Sequence, residues 1–344
     1  MDAKRTEIST LGEFGLIRHL TEKFPRRNTS TLHGVGDDAA VIRYDGDRCT
    51  LVTTDLLLEG IHFDLQYTPL KHLGYKSCVV NFSDIYAMNG TPRQITVSLG
   101  VSRRFSVEDL DELYAGIRLA CETYGVDLVG GDTSASMTGL CISITCMGEA
   151  QADQIVYRNG AQVNDLVCVS GNLGAAYLGL QLLEREKRVL NGQEGLEPDF
   201  AGKEYLLQRQ LKPEARRDII ELLRQHDVKP TSMMDVSDGL SSEMMHICSQ
   251  SGVGCRIYED KIPIDYQSAV MAEEMNLNIV TCALNGGEDY ELLFTCSIND
   301  YDKLVLMDRV YIIGHITKPE TGLMLVGRQG EEIPLRAQGW NSLE

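Results

Sequence analysis

Apolar runs that end in acid are the feature that most limits what this chain can become. Leu51-Val52 opens a β-favouring stretch that breaks at Thr53-Thr54-Asp55. Upstream, Asp37-Asp38 precedes the apolar run Ala39-Ala40-Val41-Ile42, and acids recur against apolar segments at Asp84, Asp132, Asp235 and Asp238. One such pair alone reads as a turn or a solvated surface. Their accumulation does not, because a carboxylate buried without a partner costs several kcal/mol, which a bound cation would offset. Carboxylate and hydroxyl oxygens suit Mg²⁺, a hard cation that bridges protein acids to phosphates. The pattern points to an acidic phosphate site loaded with metal.

The elements around these acids read as strands alternating with helices. A helix is predicted over Leu11 to Phe24, with Phe14, Ile17 and Leu20 on one face. Val41-Ile42 and Thr50 to Thr53 read as strands. Thr68-Pro69 starts a helix running to about Met88, and Asn81 and Asp84 share one of its faces. Ile95 to Val101 is strand-like, Ser106 opens a second long helix, and Val126 to Val129 is a strand broken by Gly130-Gly131. Leu140 to Met147 is another. After Gly148 the chain turns, and a second series follows: a strand at Leu166 to Val169, a helix over Pro213 to Gln225, a strand over Ser232 to Val236, and late strands at Tyr311 to Ile316 and Leu323 to Val326. Asn191 to Lys203 reads as an exposed loop. The chain has 344 residues, more than one core usually serves, so two domains are expected, over 1–155 and 156–344.

Composition removes several classes. Acids outnumber bases 50 to 32, a formal charge of −18, which argues against nucleic acid and anionic membranes as partners. No apolar run approaches the roughly 18 residues of a membrane span. The N-terminus is polar, so a soluble, cytoplasmic chain is expected. The ten cysteines include no Cys-x-x-Cys, so they read as reduced and a zinc site is not expected. The P-loop and protein-kinase signatures are missing, and Gly34-x-Gly36-x-x-Ala39 matches a dinucleotide fingerprint only superficially. A phosphoryl-transfer enzyme of this sequence would lean on Mg²⁺ more than on lysines. Ser170-Gly171-Asn172-Leu173-Gly174 could present backbone N–H groups to a phosphate or make a plain tight turn. His62 could touch substrate, and Trp340 could stack on a flat ring or pack the chain end.

Taken together and in order, seven segments carry a resemblance. They are Gly12-Glu13-Phe14, Gly36-Asp37-Asp38, Thr53-Thr54-Asp55 with His62, Asn81-Phe82-Ser83-Asp84, Gly130-Gly131-Asp132-Thr133, Asp235-Val236-Ser237-Asp238-Gly239-Leu240 and Gly286-Gly287-Glu288-Asp289-Tyr290-Glu291-Leu292. On these the sequence resembles the thiamine-monophosphate kinases, within the superfamily of aminoimidazole ribonucleotide synthetase and selenophosphate synthetase. The resemblance implies a two-domain α/β (α+β) fold of the aminoimidazole ribonucleotide synthetase type. It implies a homodimer whose N-terminal domains form an eight-stranded barrel, with ATP near the interface. It implies direct transfer of the ATP γ-phosphoryl to thiamine monophosphate, giving thiamine diphosphate in the last step of its biosynthesis. Carried over by motif, Asp38, Thr53, Thr54, Asp55, Asp84, Asp132, Asp235 and Asp238 would hold several Mg²⁺ ions. Gly131, Asp132, Arg158, Ser237 and Tyr114 would contact ATP. His62, Glu288 and Trp340 would contact the thiamine part. No general base is implied, because the acceptor is already an anionic oxygen. Against this stand a sibling ATP-dependent synthetase and a catalytically silent ATP- or metal-binding dimer. Every motif acid is present, which favours catalysis.

Overall fold

Strand-forming runs in the first half of the chain assemble into one mixed sheet. The structure is a computed structural model, and it describes residues 10–190 and 198–337. Strands β1 (Thr31–His33), β2 (Ala40–Ile42), β3 (Arg48–Leu58), β4 (Thr91–Val101), β5 (Asp127–Ala135) and β6 (Cys141–Gln151) take the order β1-β2-β3-β6-β4-β5. All neighbours are antiparallel except β4 and β5. Alternation along β6 buries Ile142, Ile144 and Cys146 and leaves Ser143 and Thr145 half-exposed on the other face. α1 (Gly12–Thr21) precedes the sheet; α2 (Leu70–Ala87) and α3 (Val107–Tyr124) lie between its strands in sequence.

The second half builds a seven-stranded sheet. Strands β7 (Leu166–Ser170), β8 (Ser232–Asp235), β9 (Gly254–Tyr258), β10 (Leu292–Cys296), β11 (Val310–Thr317), β12 (Leu323–Val326) and β13 (Glu332–Pro334) run in the order β13-β12-β9-β11-β7-β10-β8. Only β12 and β9 are parallel. Helices α4 (Ala175–Leu190), α5 (Glu204–Leu211), α6 (Arg217–Gln225), α7 (Leu240–Ser251), α8 (Tyr266–Glu274), α9 (Ile279–Asn285) and α10 (Tyr301–Leu304) complete the chain. Strands β7 and β10 and the edge strand β8 are buried along their whole length. Their residues divide by alternation. Cys168, Met233 and Phe294 join the core that continues through α2 into the first sheet, while Val167, Met234 and Leu293 join the core beneath α7.

This placement explains α2. It is buried along nearly its whole length, because it lies against both the first sheet and β8. A helix enclosed on all sides reads as apolar all round. Its approach to α3 is close: a Cβ on Gly74 would lie 2.0 Å from the Leu113 carbonyl oxygen, and one on Gly116 would lie 1.9 Å from that of Lys71. α3 starts on a reciprocal cap, in which the Ser106 hydroxyl accepts from the Asp109 N–H and the Asp109 carboxylate accepts from the Ser106 N–H.

The predicted elements differ from the observed ones at physical breakpoints. β5 does not break at Gly130-Gly131; it runs through both, because Gly131 pairs so closely with β4 that a Cβ there would sit 1.9 Å from the Val97 carbonyl oxygen. The helix expected from Pro213 begins at Arg217. α2 is entered from Pro69 in extended conformation, without a side-chain cap from Thr68. Of the loop expected over 191–203, residues 198–203 are described and contain neither helix nor strand. The first sheet ends at β5, an edge strand whose nine residues are all exposed. Among the described residues, no helix is long and apolar enough to cross a membrane.

Candidate active site

Three carboxylates from three elements converge. Asp38 precedes β2, Asp84 lies in the last turns of α2, and Asp235 ends β8. One oxygen from each lies within 4.8 Å of those of the other two. Asp84 is aimed by the register of α2 on β3: its Oδ2 accepts from the Thr53 hydroxyl at 2.5 Å, while Asn81, one turn back, accepts the Asp55 N–H at 3.2 Å. Asp38 is held by Arg158, whose Nε and terminal nitrogen donate to its Oδ1 at 3.1 and 2.5 Å. The other oxygen, Oδ2, is buried with no hydrogen-bond partner. The neighbouring Asp37 accepts the N–H groups of Arg158 and Asp38.

The acids resist ionisation. Burial, then the Asp38 charge, pushes Asp37 and Asp235 up to about 7. Burial, then Glu288, pushes Asp55 up to about 6. Asp84 is raised well above the ordinary carboxylate range by burial and by Asp55, Asp235 and Asp38. An all-oxygen cluster with an unpartnered buried carboxylate oxygen fits a hard divalent cation.

The cluster stands in a cavity of about 1130 Å³ whose walls come from both halves of the chain. Its lining includes Asp38, Thr53, Thr54, Asp55, His62, Asp84 and Arg158, and also Asp235, Ser237, Asp238 and Glu288. The His62 ring is fixed by the Leu58 N–H, which donates to Nδ1 at 3.0 Å, so in the neutral ring the proton sits on Nε2. Two glycine turns adjoin lining residues, Gly239 next to Asp238 and Gly287 next to Glu288. Gly239 and Gly287 both have positive φ, and a Cβ on Gly287 would lie 2.5 Å from the Ser237 carbonyl oxygen. Only glycine permits that approach of backbone to backbone.

Of the residues expected at the site, this cavity gathers Asp38, Thr53, Thr54, Asp55, His62, Asp84, Arg158, Ser237, Asp235, Asp238 and Glu288. Thr54 faces the opposite side of β3 from Thr53 and bonds to Thr145 and to the Ile144 carbonyl. Gly131 and Asp132 lie on exposed β5, three strands from β3, or about 14 Å at roughly 4.8 Å per strand. Asp132 is in register with Ser98, and Tyr114 is half-buried on α3. Trp340 lies outside the described residues. The Ser170–Gly174 turn is not open to phosphate: the buried Asp289 carboxylate accepts the Gly174 N–H at 2.7 Å and the Ala176 N–H at 3.3 Å, so an internal anion caps α4. The cavity also contains Phe14 and Tyr290, which the sequence places in motifs without a site role, and Lys76 and Glu184, which no motif marks. Lys76 had no motif around it, although a lysine inside an otherwise apolar helix was a usable signal.

Comparison with known proteins identifies the family and the fold. Residues 36–150 match the family described as AIR synthase related protein, N-terminal domain, and residues 162–325 match its C-terminal domain. The chain is 34% identical to a thiamine-monophosphate kinase of Aquifex aeolicus over 97% of this chain and 98% of that one. It is 31% identical to one of Bacillus subtilis over 96% and 99%. A solved structure of AaThiL complexed with AMPPCP and TMP superimposes with a TM-score of 0.82 at 32% identity, covering 98% of this chain and 99% of that one.

Proposed function

The chain belongs to the thiamine-monophosphate kinases among the AIR synthase related proteins, and from that premise we propose that it transfers the γ-phosphoryl of ATP to the phosphate of thiamine monophosphate. The observation that carries this reading is the convergence of Asp38, Asp84 and Asp235 within 4.8 Å of one another in a cavity walled by both halves of the chain. An acceptor phosphate oxygen attacks the γ-phosphorus, the bond to the β,γ-bridging oxygen breaks, and thiamine diphosphate and ADP leave.

Asp38, Asp55, Asp84, Asp235 and Asp238, with the Thr53 hydroxyl beside Asp84, would hold Mg²⁺, and the Thr54 hydroxyl would serve a metal from the other face of β3. Several such ions would neutralise two mutually repelling phosphates and stabilise charge on the transferred group. The protein's own residues hold and orient. Thr53 and Asn81 set the directions of Asp84 and β3. Arg158 holds Asp38 and can turn its fork to nucleotide phosphates. His62 and Glu288 face the thiamine part, with Trp340 as a further contact. No side chain is assigned as a proton acceptor, because the attacking oxygen is already anionic.

The working unit we propose is a homodimer. The long strands β3, β6, β4 and β5 of two copies supply the eight strands of a closed barrel. The exposed β5 edge, with Leu128 and Val129 46% and 55% exposed, supports it. Gly131, Asp132 and Tyr114 then serve the nucleotide from across the interface, which accounts for their distance from the cluster within one chain. We place the enzyme in the cytoplasm. The test is to incubate purified protein with ATP, Mg²⁺ and thiamine monophosphate and to follow thiamine diphosphate by chromatography. Formation of product that stops in excess chelator supports the reading. Bound ATP without product would return the chain to a sibling synthetase or a silent binder.

A further inference from the structure

Among the described residues Lys76 is the only buried lysine, 5% exposed in the middle of α2. Burying an ammonium costs several kcal/mol unless it is paired, so its partners carry information. Its Nζ donates to the Gln210 carbonyl at 3.0 Å and forms an ion pair with Glu288 Oε2. The other oxygen of Glu288 accepts the Tyr290 hydroxyl at 3.1 Å. Both carboxylate oxygens are therefore held, by one element from each half of the chain.

The backbone around Glu288 is built for the same end. Glu288 and Tyr290 both sit at positive φ, +61° and +51°, a costly conformation for residues with a Cβ. The Glu288 N–H donates to the Ser237 carbonyl at 2.6 Å and the Tyr290 N–H to the Val236 carbonyl at 2.9 Å. The other two acids of the segment are turned away and fastened. Asp289 caps α4, and Glu291 is held by Ser170, Arg209 and Arg216. Among the acids of this segment only Glu288 lines the cavity.

We propose that Lys76 and Tyr290 are positioning residues that fix the Glu288 carboxylate against the cationic thiazolium end of the substrate. The inference rests on the kinase reading. It adds that affinity for the thiamine part is set by a residue from the first half of the chain, acting through Glu288. Without Lys76, a carboxylate beside the acid cluster has no opposing charge to hold it, and it swings.

The test is a double-mutant cycle between Lys76→Met and Glu288→Gln, read as kcat and as separate KM values. Lys76→Met is expected to raise KM for thiamine monophosphate about tenfold, the size of one charge-assisted hydrogen bond, with KM for ATP within about twofold. In the Glu288→Gln background the same change adds less than about twofold. Tyr290→Phe removes one donor and leaves packing intact; about a threefold rise in KM, lost in the Glu288→Gln background, carries the test if Lys76→Met does not fold. Equal effects of Lys76→Met in both backgrounds, or an unchanged KM in Glu288→Gln, would overturn the inference. Should the unaltered protein form no thiamine diphosphate, the kinase reading falls and the inference falls with it; additivity in an active enzyme overturns the inference alone.

Discussion

At Asp84 every neighbouring acid works against ionisation, and only the Thr53 hydroxyl works for it. Asp84→Asn should therefore raise the melting temperature measured in chelator while lowering kcat by about 100-fold or more, because relief of repulsion and loss of transition-state stabilisation are separate effects. Calorimetry and steady-state rates on one preparation check both. Asp37 and Asp235, raised to about 7, also set the pH dependence. Between about pH 4 and 7 the folded protein keeps protons that the unfolded chain has released, so these groups lower its stability as pH rises through that window. Mg²⁺ should reverse this, raising the melting temperature more at pH 8 than at pH 5; the same shift at both would separate the cluster from metal binding. These acids were legible in the sequence because each interrupts or closes an apolar run. Lys76 was not. Its meaning lies in Glu288, more than two hundred positions away, and no local pattern records that pairing.

At the scale of elements, the close passage of α2 against α3 decides where the site residues stand. Gly116→Ala would push a methyl group into the Lys71 carbonyl, and α2 would have to move. We expect a loss of about 3 kcal/mol by denaturant unfolding, at the upper end for overpacking. Residual activity should fall as well, since α2 carries Lys76, Asn81 and Asp84. The sequence showed α2 through its long apolar run after Thr68-Pro69, α3 through its helical spacing and its start at Ser106, and most long strands through their apolar runs. It misled at β5, where glycines usually end strands and here permit close pairing. It was silent on the short helices α5, α8 and α9, where too few residues repeat for a period to be read.

At the scale of the whole molecule, the exposed edge of β5 sets an expectation for assembly. The protein should sediment at twice its 38.2 kDa chain mass, and Val129→Lys should sediment as a monomer that has lost ATP turnover. A lysine variant that remains dimeric and active would remove β5 from the interface. How the two halves dock was beyond sequence reading, since it depends on β8 seating against α2. That docking has a consequence during synthesis. Chains emerge from the ribosome N-terminus first, so Asp38 and Asp84 are synthesised well before Asp235, and α2 waits for β8 to cover it. The unfinished chain holds an open half of the cluster. We expect a chain cut short before Asp235 to be inert, because the three-carboxylate cluster is complete only when the second half closes on the first.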